Sequence, residues 1–125
     1  MVDLGVVVLG VSDRERASAF WQAALSYRAR TDGFGGWALI LEPADGRDGV
    51  RVALQLSETP PRSNPRMHLD LHVRSRDEQL SEADRLVGLG AKQVPWDYPK
   101  DPDFVVLADT EDNIFCIVDL GHRHR

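Results

Sequence analysis

One pattern is written twice along this chain, and that repeat limits its fold more than any other feature. Leu4 to Val11 is a short apolar run followed by Ser12-Asp13-Arg14-Glu15, where Ser12 can cap a helix and Glu15 can reach back to the amide of the cap. Ala17, Phe20, Trp21, Ala24 and Leu25 then recur at the spacing that lays one apolar stripe along a helix. Met67 to Val73 is a second strand, and Ser75-Arg76-Asp77-Glu78 repeats the capping box 63 positions after Ser12. Leu80, Ala83, Leu86 and Val87 follow as the second stripe, and Gly88 to Gly90 stops it.

After each helix the pattern becomes β. Tyr27 to Thr31, Trp37 to Leu41 and Val50 to Leu56 form the first set, punctuated by Asp32 to Gly36 and by the Asp45-Gly46 and Asp48-Gly49 pairs. Ala91 to Val94, Phe104 to Ala108 and Ile114 to Asp119 form the second, with Asp109 to Asn113 as the last turn. Each half reads βαβββ. Ser57 to Pro65 has three prolines and no periodicity, so it is a linker. The period is too long for a common solenoid, and 125 residues suit one core. The expectation is a single α+β domain over 1–125, with modules at about 4–56 and 67–120 joined by a linker at 57–65.

Composition removes several classes of function. Hydrophobic and charged residues, 42% and 28%, are in the range of folded globular chains. No apolar run approaches the roughly 20 residues of a membrane span, and Met1-Val2-Asp3 lacks the basic flank of a signal peptide, so a cytoplasmic protein without a membrane partner is expected. The net charge of −5, with arginines scattered rather than clustered, argues against nucleic acid. The lone Cys116 excludes an internal disulfide and a cysteine-rich zinc site.

The stretches VVVLGVSDRERASAFWQAAL at Val6 to Leu25, HLDLHV at His68 to Val73 and VLADTEDNIFCIVD at Val106 to Asp119 resemble the vicinal oxygen chelate superfamily, the glyoxalase, bleomycin-resistance and extradiol-dioxygenase group, particularly its small bacterial glyoxalase-like members. The resemblance runs from Leu4 to Leu120. It implies two βαβββ modules side by side, eight strands curved around a cleft with two main helices outside, and a homodimer. It also implies a divalent metal held by one ligand from the first and one from the fourth strand of each module. Matched residue by residue, those places fall at Val6, Gln55, His68 and Cys116, and only His68 is the usual residue. Val6 has no donor atom, Gln55 offers a neutral carbonyl, and Cys116 replaces a carboxylate. The inherited metal site is therefore expected to be degenerate and no cofactor is expected; zinc on His68, Cys116, Gln55 and water is the one arrangement that can still be drawn. The final turn also departs from the group's Asp-Pro-x-Gly-Asn, which alters a hairpin rather than a ligand, because Asp112 or Asn113 can take the left-handed conformation that glycine supplies.

Alternation along a strand puts His68, Asp70 and His72 on one face and Leu69, Leu71 and Val73 on the other. An imidazole beside a carboxylate is a common general base, and these three are the catalytic candidates; the same alternation also describes any strand with one solvated side. Val6, Val8 and Gly10 make the corresponding row apolar in the first module. If the inherited places hold, Arg51, Ala53 and Gln55 line the cleft there, and Ile114, Cys116 and Val118 line it in the second module. Such a lining suits a small organic molecule with an apolar body and a polar or anionic end, with Arg51, Gln55 and Cys116 among its contacts. Cys116 lacks a neighbouring activating charge and reads as an inert buried thiol more readily than as a nucleophile. Trp96 and Tyr98, between Pro95 and Pro99, either stack on a planar ligand or seal a small apolar cluster. The tail His122-Arg123-His124-Arg125 is expected to be a solvated terminus.

Two functions fit. One is a glyoxalase-like lyase or isomerase that abstracts a proton with His68, Asp70 or His72. The other is a metal-free protein that shelters a small molecule, like the bleomycin-resistance proteins.

Overall fold

Both capping motifs start helices, but the first helix begins one residue later than the serine suggests. In the computed structural model, which describes residues 1–30, 36 and 38–122, α1 (Arg14–Leu25) is capped by Asp13, whose carboxylate accepts the Arg16 amide at 3.0 Å. Ser12 accepts from the Arg16 guanidinium instead, at 3.3 Å. Aspartate caps as well as serine does, so the assignment to Ser12 is corrected and the cap-to-cap repeat becomes 62 residues. Ser75 caps α2 (Arg76–Gly88) as expected, accepting the Glu78 amide at 3.1 Å. At its far end α1 closes through Ser26, left-handed at φ 56°, and the Arg47 guanidinium donates to the Leu25 carbonyl at 2.6 Å.

The chain divides into two compact units, Met1–Pro60 and Pro61–Arg125, and the division falls inside the expected linker. In the first unit β1 (Val6–Val11) lies parallel to β4 (Arg51–Leu56). Antiparallel β3 (Leu39–Pro43) and β2 (Tyr27–Ala29) complete the order β1-β4-β3-β2. The second unit repeats this with β5 (Leu69–Val73), β8 (Ile114–Asp119), β7 (Phe104–Ala108) and β6 (Lys92–Gln93), in the order β5-β8-β7-β6. The result is an α+β fold of two βαβββ units with eight strands in two mixed sheets. Thr31 to Gly35, Trp37 and Arg123 to Arg125, on which parts of the sequence expectations fell, lie outside the described residues. Among the described residues no helix is long and apolar enough to cross a membrane.

The first unit buries Ala17, Phe20, Trp21 and Ala24 of α1, with the Phe20 and Trp21 rings edge to face at 5.0 Å. In the second unit α2 buries Ala83 and Leu86 and contacts β5, β7 and β8. Gln79 is wholly buried on α2, and its amide nitrogen donates to the carbonyls of Asp103 at 3.0 Å and Ile117 at 2.9 Å. A polar side chain survives there because it satisfies two backbone acceptors. In the last turn, buried Asp109 accepts the amides of Glu111 and Asn113, both at 2.8 Å, and Asp112 takes the left-handed conformation at φ 66°. The turn therefore keeps its shape without proline or glycine.

Several strands are shorter than the sequence suggests, β6 most clearly. Pro95 has no amide to extend the ladder beyond Gln93, and the Tyr98 hydroxyl accepts the Val106 amide at 2.8 Å.

Candidate functional site

Strand β5 settles the register on which the candidate site depends. Leu69 and Leu71 are half-buried and Val73 is buried, whereas His68, Asp70 and His72 are exposed, so the polar row has the face that alternation assigned to it. His68 and Asp70 meet, with Nε2 at 3.1 Å from the carboxylate. His72 is one same-face step further along, roughly 6.6 Å per two residues of strand.

The parallel pairing of β5 with β8 places Asp70 opposite Cys116 and His72 opposite Val118. Beyond them on β7, Val106 is opposite Cys116 and Phe104 opposite Val118. This face therefore grades from polar at the β5 edge to an apolar cluster of Val106, Ala108, Ile114 and Cys116, against which Val94, Trp96, Phe104 and Val118 pack. One donor atom from each of His68, Asp70 and Cys116 lies within 4.8 Å of the others. Burial, and secondarily the Asp70 charge, push the Cys116 thiol up to about 11 from its ordinary 9.0. The thiol is thus protonated near neutrality and is no free nucleophile.

In the first unit Val6 is opposite Arg51, Val8 opposite Ala53 and Gly10 opposite Gln55. Cys116 faces Asp70, the third residue before the buried last residue of its strand; the matching residue on β1 is Val8, and its partner is Ala53. Ala53, not Gln55, is therefore the counterpart of Cys116, and the inherited place given to Gln55 is corrected. Sequence matching preserved the face but slipped two residues along it, because nothing in the sequence prints the register between β1 and β4. Ala53 is fully buried with Ala38 and Ile40, and Val6 packs on them, while Gln55 is exposed and Arg51 half-buried.

Trp96 belongs to the apolar cluster on the Cys116 face. Tyr98 has a structural task, with its hydroxyl on the Val106 amide and its ring 5.4 Å from that of Phe104. His122 is not free in solvent as expected for the tail, since Nε2 lies 3.2 Å from the Asp101 carboxylate. The pairing of Asp70 with Cys116 was missed by sequence reasoning, which compared β5 with β1 and never with its own neighbour β8.

The family model of the glyoxalase-like domain matches residues 6–118. No curated protein matches the chain. Among solved structures, a glyoxalase/bleomycin resistance protein/dioxygenase family enzyme from Burkholderia phytofirmans aligns at TM-score 0.74 with 19% identity, over 95% of this chain and 99% of that one. The fosfomycin resistance protein FosX from Listeria monocytogenes aligns at 0.73 with 16% identity, over 99% and 97%, and a variant of it was solved with Mn(II) and a dihydroxypropylphosphonic acid. TnmS3, an antibiotic binding protein from a Streptomyces species, aligns at 0.62 with 18% identity, over 95% and 96%. At these identities the likeness concerns the fold.

The four-ligand metal site implied by the resemblance does not fit these residues. With hydrocarbon at Val6 and a methyl at Ala53, the first unit offers no donor at either place.

Proposed function

Because the chain belongs to the glyoxalase-like domain family, within the vicinal oxygen chelate superfamily, we propose that it acts on a small organic molecule by proton abstraction, with His68 as the base and Asp70 as the group that orients it. The observation that carries this reading is the 3.1 Å contact between His68 Nε2 and the Asp70 carboxylate on an exposed strand face. In neutral imidazole a carboxylate partner selects the tautomer with hydrogen on Nε2, which leaves the lone pair on Nδ1. Nδ1 then takes a proton from a carbon made acidic by a neighbouring carbonyl or similar group. Return of the proton to another carbon gives an isomerase, and departure of a group from the carbanion gives a lyase. His72 is the second proton carrier in this scheme, and the half-buried Trp96, Phe104 and Val118, which pack on the core cluster of Cys116, contact the body of the ligand.

The test has two stages. A thermal-shift screen of small carbonyl compounds, with and without divalent metals, identifies ligands by the rise in melting temperature that native-state binding produces. Hydrogen exchange at the ligand's acidic carbon is then followed in deuterated water, where His68→Ala should slow exchange by about a hundredfold or more. A ligand that binds without exchange or turnover in the wild type would replace this reading with small-molecule binding alone, and TnmS3 is named as an antibiotic binding protein.

A further inference from the structure

We propose that the first unit carries a recognition site for the carboxylate of a small organic acid, in which Arg51 binds the carboxylate and the neighbouring row of Arg28, Glu42 and Arg30 limits the charge that is accepted. The proposal rests on the small-molecule reading above and adds the chemical class of that molecule. All four side chains belong to one face of the sheet. Arg28 is the partner of Glu42 across β2 and β3, Ile40 is the partner of Ala53 across β3 and β4, and the Arg30 amide donates to the Ile40 carbonyl at 2.8 Å. Alternation puts Arg51 on the face of Ala53 and Glu42 on the face of Ile40, while Leu41 and Val52 between them are buried on the other side.

Three arginines therefore stand with one glutamate on this face, in a chain whose net charge is −5. The carboxylate of Glu42 is already divided between two of them, with Oε2 at 3.3 Å from Arg28 and Oε1 at 3.5 Å from Arg30. Arg51 is left over. Its side chain is half-buried and has no hydrogen bond or ion pair among the described residues. A guanidinium partly withdrawn from water gains most from an anion, and its planar fork matches a carboxylate through two parallel N–H bonds.

The neighbours define the rest of the ligand. Val6 is the partner of Arg51 on β1 and packs half-buried on Ala38, Ile40 and Ala53; Val8, the next residue on that face, is exposed. A hydrocarbon or aromatic body attached to the carboxylate meets these two valines. Glu42 supplies the repulsive element, because it occupies the β2 arginines and opposes a second negative charge beside Arg51. The site thus favours a monocarboxylate over a phosphate dianion.

The experiment is titration of the purified full chain, carrying isotope-labelled arginine, with benzoate, phenylacetate and hexanoate, with their neutral amides, and with phenyl phosphate, followed by calorimetry and by the arginine Nε–Hε resonances. At least one acid should bind about tenfold or more tightly than its amide and shift the resonance that is missing from Arg51→Gln. Arg51→Gln should abolish the preference for acid over amide, and Arg51→Lys, which keeps the charge without the fork, should restore part of it. Glu42→Gln should raise the affinity for phenyl phosphate by about tenfold. Arg62→Gln, the same change of charge in the linker, should bind as the wild type does, and the melting temperature of each variant checks folding. No acid binding at millimolar concentration, equal binding of acid and amide, or a preference for acid that survives Arg51→Gln overturns the site. Tighter wild-type binding of phenyl phosphate than of every acid, or no gain in Glu42→Gln, overturns the role given to Glu42. If acids bind through Arg51 and no ligand exchanges protons through His68, the base fails and the site stands. If neutral carbonyl compounds exchange through His68 while acids show no preference, the site fails and the base stands.

Discussion

Asp70 stands directly across from Cys116 on parallel strands, an exposed carboxylate beside a buried thiol. Burial first and the carboxylate second hold the thiol at about 11, so the fold favours its protonated form. Below pH 9 this contribution to stability is complete. Between 9 and about 11 the unfolded chain has lost the proton and the native chain retains it, so stability falls as pH rises through that window. In metal-free protein, the pH midpoint of alkylation by iodoacetamide should lie near 11 and move downward in Asp70→Asn. A wild-type midpoint at the ordinary thiol value would show that the strand pairing does not govern this group.

The two candidate caps of α1 make opposite predictions. Asp13→Ala removes the acceptor of the Arg16 amide and should cost about 1 kcal/mol in urea unfolding. Ser12→Ala removes the exposed contact with the Arg16 guanidinium and should stay within about 0.5 kcal/mol of wild type. The reverse order would restore the cap to the serine.

Gln79 should be far less replaceable than its polarity suggests. Gln79→Leu keeps volume but removes the Gln79 donor from the Asp103 and Ile117 carbonyls, of which Asp103 keeps its bond from the Asp119 amide, at an expected cost of about 1–3 kcal/mol. Exposed Gln55→Leu should change stability by less than about 0.5 kcal/mol, and chemical denaturation of the pair compares a buried clamp with a surface amide.

At Asp112, φ 66° favours residues that tolerate the left-handed region. Asp112→Val should destabilise by about 1–2 kcal/mol, whereas Asp112→Gly should be neutral or slightly stabilising even though it removes the exposed pair with Lys92. Equal losses for the two substitutions would assign the effect to the ion pair instead of the backbone.

A homodimer is proposed from the family resemblance, and light scattering at micromolar concentration should give twice the 14.0 kDa mass of the chain. A mass of one chain at all concentrations tested removes the dimer.

Periodicity and capping chemistry were enough to read the repeat, both helices, the face of β5 and the bounds of β7 and β8, because each depends on residues close in sequence. Gln55 shows where that legibility stopped. Its face could be read from alternation, but its partner depends on how two strands 45 positions apart slide past each other, which no local pattern records. The same gap hid the Asp70 to Cys116 pairing. Ser12 and Asp13 were a different kind of miss, since both are good caps and only the backbone conformation at Asp13 chooses between them. Tyr98 was legible as an aromatic on a loop, but the donor it satisfies is fixed by the early end of β6.

That early end has a consequence for life at high protein concentration. The two-residue β6 guards only part of the outer rim of β7, and the amide of Val106 would otherwise offer a docking rung to a strand from another molecule. The Tyr98 hydroxyl already occupies that rung, and the flanking prolines Pro95 and Pro99 cannot donate a ladder of their own. A single phenolic oxygen thus closes one rung of the β7 rim that the two-residue edge strand leaves uncovered.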